Sequence, residues 1–233
     1  MTPFTYSDIA KMIDHSLLQP TLTDGDLEKG CQVAREYDVA SVCIKPYAVR
    51  QAAKWLGGST VAVGTTIGFP HGGHATAVKV FEARQAIDDG ARELDMVVNV
   101  GKVLGKDWHY VAEDIRGVVD VAHRSGALVK VIFENCFLQT EHKEQLCRIC
   151  SEVGADYVKT STGYGDSGAS DDDLRLMRRC SAPHVKVKAA GGVRTFDRVL
   201  AVRAIGVSRV GATASKVILD ECRARLRLGE PAA

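Results

Sequence analysis

The chain has 233 residues, 45% hydrophobic and 25% charged, an ordinary globular balance and enough length to bury one large α/β core or two small ones. A formal net charge of +1 excludes a bulk field for nucleic acid or an anionic membrane and leaves room only for a local phosphate pocket. The opening MTPFTYSDIAKMID lacks a signal-peptide layout, no apolar run nears the ~18 residues of a membrane span, and the scattered, odd-numbered cysteines suit reduced thiols in a cytoplasmic protein.

Taken in chain order, short apolar β-branched runs alternate with longer amphipathic segments. KMIDHSLL is the first predicted strand, and Thr23 with Asp24 then caps a helix over DGDLEKGCQVAREYD. ASVCIKP, TVAVGTTIGFP, ELDMVVNVG and ALVKVIFENC are the next four strands. EHKEQLCRICSEVG reads as an amphipathic helix, so Cys147 and Cys150 are packing residues; no second Cys/His pair follows at zinc spacing. ADYVKTSTG is the sixth strand, and Ser170 with Asp173 frames a capping box ahead of DDLRLMRRC. HVKVKAAGG is the seventh strand and leads into the helix VRTFDRVLAVRAIG, with Thr195 near its start. GVSRVGA is the eighth, and Gly211 to Ser215 carries the chain into a last helix.

Eight strands roughly 22 to 35 residues apart, each with a helix behind it and no linker between, predict an α/β chain folded as a (β/α)8 TIM barrel. It is read as a single domain over residues 1–233. A doubly wound sheet is the alternative, but no G-x-G-x-x-G follows an early strand.

Strand side chains alternate between two faces. Leu94, Met96 and Val98 oppose Asp95, Val97 and Asn99; Val129, Val131 and Phe133 oppose Lys130, Ile132 and Glu134. Tyr157, Lys159 and Ser161 share a face, Lys186 and Lys188 oppose Val185 and Val187, and Asp14 with Ser16 opposes Ile13 and His15. If the aliphatic faces lie under the helices, four lysines and three carboxylates point at the barrel axis. Buried charges must be paired or shifted in pKa. A structural ion-pair network is the bland reading. Aliphatic layers fill a barrel axis at lower cost, so the set as a whole favours chemistry at the strand C-termini.

A lysine attacks a carbonyl only when unprotonated, and burial beside a second ammonium lowers its pKa. Lys159 and Lys188, near the ends of neighbouring strands, meet that requirement, and Asp95 across the axis can move protons. The implied reaction is Schiff-base formation with carbon–carbon cleavage or formation, with no metal and no cofactor. Gly191-Gly192 and Gly211-Ala212-Thr213-Ala214-Ser215 sit where late barrel loops bind phosphate on backbone N–H groups.

Two other motifs point elsewhere. GDSGA, Gly165 to Ala169, looks like a serine-protease nucleophile loop at Ser167, but such an enzyme needs an all-β fold with His and Asp partners. His71 and His74 of FPHGGH could ligate a metal, though no carboxylate stands at matching spacing.

The stretches IDHSLLQP, SVCIKP, TTIGFPHGGH, ELDMVVNVG, VKTSTGYG, VKAAGGVRT and SRVGATAS, in that order, resemble the deoxyribose-phosphate aldolase family. The resemblance implies a class I aldolase cleaving 2-deoxy-D-ribose 5-phosphate to acetaldehyde and D-glyceraldehyde 3-phosphate, reversibly, in deoxynucleoside catabolism. Lys159 resembles the Schiff-base lysine, Lys188 the lysine that perturbs it, and Asp95 the proton-transfer aspartate. Asp14 and Lys130 resemble supporting residues, and Cys43 the cysteine near the pocket in many members. Gly163, Gly191, Gly192, Gly211, Thr213 and Ala214 resemble the phosphate loops, with Thr213 and Ala214 standing where two serines are common. The end LRLGEPAA offers no C-terminal tyrosine of the kind some members use.

Partners implied are a sugar phosphate and acetaldehyde. A homodimer is common in the family, while polar helix faces are also compatible with a monomer. Alternatives are a related Schiff-base aldolase with another aldehyde acceptor and a non-catalytic sugar-phosphate-binding barrel. Lys186 is an extra inward lysine, with Glu134 its candidate partner.

Overall fold

A computed structural model describes residues 4–227; Met1–Pro3 and residues 228–233, which carry most of the LRLGEPAA tail, lie outside the described residues. The elements run α1 (Tyr6–Ala10), β1 (Ile13–Leu17), α2 (Asp24–Glu36), β2 (Ser41–Ile44), α3 (Val49–Trp55), β3 (Ala62–Ile67), α4 (Thr76–Asp88) and β4 (Glu93–Val97). They continue α5 (Val100–Leu104), α6 (Trp108–Arg124), β5 (Leu128–Ile132), α7 (Thr140–Glu152), β6 (Tyr157–Lys159) and α8 (Asp171–Cys180). The last are β7 (Lys186–Ala190), α9 (Phe196–Ile205), β8 (Arg209–Ala212) and α10 (Ser215–Leu226). All eight strands are parallel, and β8 pairs with β1 to close the barrel. The predicted (β/α)8 TIM barrel is the observed fold.

Local chemistry sets the helix starts. Thr23 and Asp26 form a reciprocal capping box at α2. At α8 Ser170 accepts from the Asp173 amide, but the Asp173 carboxylate bonds Lys143 Nζ at 2.7 Å rather than returning to the cap backbone. Thr195 caps α9 through the Arg198 amide. The C-x-x-C of α7 is packing: Cys147 and Cys150 are both buried, and burial pushes the Cys147 thiol up to about 12. Among the described residues, no helix is long and apolar enough to cross a membrane.

The alternation read from the strands orients them correctly in the main. Leu94, Met96, Val98, Val129, Val131 and Val187 join the apolar core under the helices. The axis holds charge instead. Three inward assignments need correction, because each residue lies past or before the part of its strand that reaches the axis. Asn99 follows the end of β4 and caps α5 through the Lys102 amide. Lys186 opens β7 at the exposed rim, its ammonium 5.7 Å from the centre of the Tyr157 ring. Glu134 follows β5 with φ 55° and turns its carboxylate to the Thr162 amide, 3.2 Å away, so it is not the partner of Lys186.

Candidate active site

A cavity of about 150 Å³ opens among the strand C-termini and the loops that follow them. Lys159, the last residue of β6, and Lys188, its cross-strand neighbour on β7, both reach it. Asp14 and Cys43 line it from β1 and β2. Gly163, Gly191, Gly192 and Thr213 line it from the loops and Gly211 from β8, whereas Ala214 stands outside the lining at the cap of α10. Asp95 and Lys130 lie beneath, paired in register across β4 and β5 and fully buried.

Below the cavity the side chains form one ionic cluster. Asp95 Oδ2 accepts from Lys159 Nζ at 2.7 Å and from Lys188 Nζ at 2.6 Å, and Asp95 Oδ1 accepts from Lys130 Nζ at 2.9 Å. Lys130 also meets Glu93 at 2.6 Å and Asp14 at 3.1 Å, and Lys188 meets Asp14 as well. Arg209 closes the cluster from β8, donating to Asp14 and, at 3.0 and 3.1 Å, to both oxygens of Glu93. Glu93 and Arg209 were missed in the sequence. The signal was present: each stands two residues before an inward position, Asp95 and Gly211, and so shares its face.

The cluster contains three carboxylates, Asp14, Glu93 and Asp95, and four bases, Lys130, Lys159, Lys188 and Arg209. With every group ionised it carries a surplus positive charge out of bulk water, which is costly. The cheapest proton to lose belongs to the base with the fewest anionic neighbours. Lys130 touches three carboxylates, Lys188 and Arg209 two each, and Lys159 only Asp95, which it shares. Burial pushes the Lys159 amine below the ordinary lysine range; Asp95 pulls it up, and the Lys188 charge pushes it down. Lys130 and Lys188 move the other way, because their carboxylates outweigh burial. Asp95 and Asp14 stay ionised: burial would raise them, but the surrounding cations hold both well below the carboxylate range.

The same reasoning gives a stability prediction. Arg209→Met leaves Asp14 and Glu93 undercompensated in the barrel floor, and breaking such a buried pair costs about 3–5 kcal/mol. Chemical denaturation of the variant is expected to show that loss; an unchanged midpoint would mean that water reaches and solvates the barrel floor.

The remaining sequence candidates separate cleanly. Burial pushes the Cys43 thiol up to about 11, so it is a poor nucleophile at neutral pH. Ser167 is exposed on the loop after β6. The glycines of GDSGA answer to packing: a Cβ on Gly168 would fall 2.3 Å from the Gly191 carbonyl oxygen, and Ala169 N donates to that oxygen at 3.0 Å. The motif thus braces the glycine turn after β7. His71 and His74 are exposed on the loop after β3, and no group of three His, Cys, Asp or Glu is placed to hold a metal among the described residues. Arg194, within VKAAGGVRT, also lines the cavity.

Residues 9–216 match the model of the DeoC/LacD family aldolases. A deoxyribose-phosphate aldolase of Rhodopirellula baltica is 56% identical over 232 residues, covering all of this chain and 95% of its own. A deoxyribose-phosphate aldolase of Thermococcus gammatolerans is 48% identical, covering 93% of this chain and 97% of its own. The tetrameric deoxyribose phosphate aldolase of Aeropyrum pernix superposes with a TM-score of 0.87 at 27% identity, covering 95% of this chain and 93% of its own. With a family match over most of its length and a relative this similar from end to end, the chain belongs to the DeoC/LacD family of aldolases.

Proposed function

We propose that the protein is a class I aldolase that cleaves 2-deoxy-D-ribose 5-phosphate to acetaldehyde and D-glyceraldehyde 3-phosphate, reversibly, with residues 1–233 working as one domain. The observation that carries this reading is the position of Lys159: of the two lysines that line the cavity, it is the one with a single carboxylate neighbour.

Neutral Lys159 Nζ adds to the C1 aldehyde of the open-chain sugar, and the proton it sheds passes to Asp95 Oδ2, 2.7 Å away. Asp95 hands that proton to the alkoxide, which makes the carbinolamine hydroxyl; a second proton, taken from solvent, lets the hydroxyl leave as water and gives the iminium ion. The C2–C3 bond then breaks, its electron pair moves onto C2 and neutralises the iminium as an enamine, and the 3-hydroxyl proton passes to Asp95. C3 leaves as the aldehyde carbon of glyceraldehyde 3-phosphate. Asp95 returns the proton to C2, which restores the iminium ion, and water adds to it to free acetaldehyde and neutral Lys159, with one proton returned to solvent. Lys188 stays charged throughout, lowering the affinity of Lys159 for protons and favouring the ionised form of Asp95.

The glycine loops suit the phosphate end. Gly191 and Gly192, at φ +83° and +87°, take a left-handed conformation open only to residues without a side-chain penalty, which turns backbone toward the cavity. Ala214 caps α10 without a side-chain bond, so the first-turn N–H groups of that helix remain free for an anion. Arg194, which lines the cavity, supplies a guanidinium for the same end of the substrate.

Borohydride added with acetaldehyde or the sugar phosphate is expected to reduce an imine and fix its mass on Lys159, read by peptide mass spectrometry. Label on another lysine, or none, overturns the assignment.

A further inference from the structure

Tyr164 is absorbed by neither the imine chemistry nor the phosphate loops, yet it lines the cavity. It stands on the loop after β6, two residues beyond Thr162, and its hydroxyl donates to the Leu18 carbonyl on the loop after β1 at 2.9 Å. That bond crosses the barrel mouth. The ring meets Phe69, on the loop after β3, edge to face with centroids 5.5 Å apart.

Both ends of this strap are firmly held. At its root the Tyr164 amide donates to Thr162 Oγ1 at 3.0 Å, while Thr162 is gripped through its amide and hydroxyl by buried Glu134. Glu134 itself has φ 55°, an uncommon conformation for a residue other than glycine, and its place in the fold keeps it there. At the far side Phe69 follows Gly68, whose φ is +64° and whose missing Cβ position lies 2.8 Å from the Lys79 stem. Lys79 is locked in turn to Asp114 at 2.6 Å and to the Val97 carbonyl at 2.8 Å. Phe69 is therefore a rigid stop for the tyrosine ring.

The cavity has two unlike sides. Gly191, Gly192 and Thr213 line one side from the loops after β7 and β8, with Gly211 of β8 beside them, while Tyr164 with Leu18 presents an aromatic and aliphatic wall. We propose that Tyr164 is a specificity-determining residue: it limits the alkyl group carried by the aldehyde that condenses with Lys159, so that short donors fit and longer ones meet the strap. This rests on the Schiff-base reading above. A carbon chain bound at Lys159 with its anionic end on the glycine loops leaves the tyrosine wall facing the donor's own substituent.

The test measures borohydride-trapped adduct on Lys159 as a function of aldehyde concentration, for acetaldehyde and for butanal, in the wild-type protein and in Tyr164→Ala and Tyr164→Phe. A pocket wall discriminates by about tenfold or more per added group, so Tyr164→Ala is expected to raise the butanal-to-acetaldehyde ratio of trapping efficiencies by about that factor. Tyr164→Phe keeps the ring against Phe69 and loses only the tie to Leu18, so a smaller rise in the same direction is expected. It also serves if the alanine variant does not fold, as judged by circular dichroism. An unmoved ratio in the folded variants, with the wild-type adduct present on Lys159, overturns the role of Tyr164 alone. Absence of any wild-type adduct on Lys159 sinks the Schiff-base reading and this inference with it.

Discussion

Lys159→Met is expected to abolish the borohydride-trapped adduct and to lower kcat/KM by about four orders of magnitude or more, since the covalent route to an electron sink disappears. The fold should survive. Removing this base leaves Asp14, Glu93 and Asp95 balanced by Lys130, Lys188 and Arg209, so the barrel floor remains neutral and each carboxylate retains a cation. Thermal unfolding should therefore show a midpoint equal to or above that of the parent chain. A variant that loses activity because it unfolds would contradict the charge assignment, and one that keeps activity would contradict the nucleophile.

The second large effect concerns Lys188. Both ammonium positions bond the same oxygen of Asp95, at 2.7 and 2.6 Å, which puts them within about 5 Å of each other. At the effective dielectric of a protein site, like charges at that separation repel by about 3 kcal/mol. Lys188→Leu removes this repulsion and leaves three carboxylates facing two permanent cations, so Lys159 takes up a proton to restore neutrality. The sign follows directly: the folded pKa of Lys159 rises toward and past its ordinary value, less free amine exists at neutral pH, and the acid limb of the kcat/KM profile moves to higher pH. At pH 7 a fall in kcat/KM of about a hundredfold is expected, with partial recovery as the pH is raised. A uniform loss at all pH values would assign Lys188 to substrate contact instead.

Much of this site was legible in the sequence because alternation along a strand is a local property. ELDMVVN and VKVIFE declare which side chains share a face before any partner is known, and the valines decide which face meets the helices. The reading erred where a run was extended past the strand that carried it. Asn99 and Glu134 lie beyond β4 and β5, and Lys186 begins β7 at the rim. Strand ends are set by where neighbouring strands stop pairing, and one strand's residues do not encode that.

The sequence alone determined the βα rhythm, the (β/α)8 barrel, the helix caps at Thr23 and Ser170, and the inward direction of Asp14, Asp95, Lys130, Lys159 and Lys188. Only the tertiary structure decided which amine has the fewest carboxylate neighbours and so the lowered pKa. That choice is a balance over seven ionisable side chains on six strands, and its closing contacts join Arg209 to Glu93 and Asp14 across 116 and 195 residues. Electrostatic energy depends on distances in space. The same limit hid the strap from Tyr164 to Leu18, whose partners are 146 residues apart, and it explains GDSGA. Gly168 fits a backbone contact with Gly191, and Gly165 a close approach to Cys136 and Glu134, that only the closed barrel brings about.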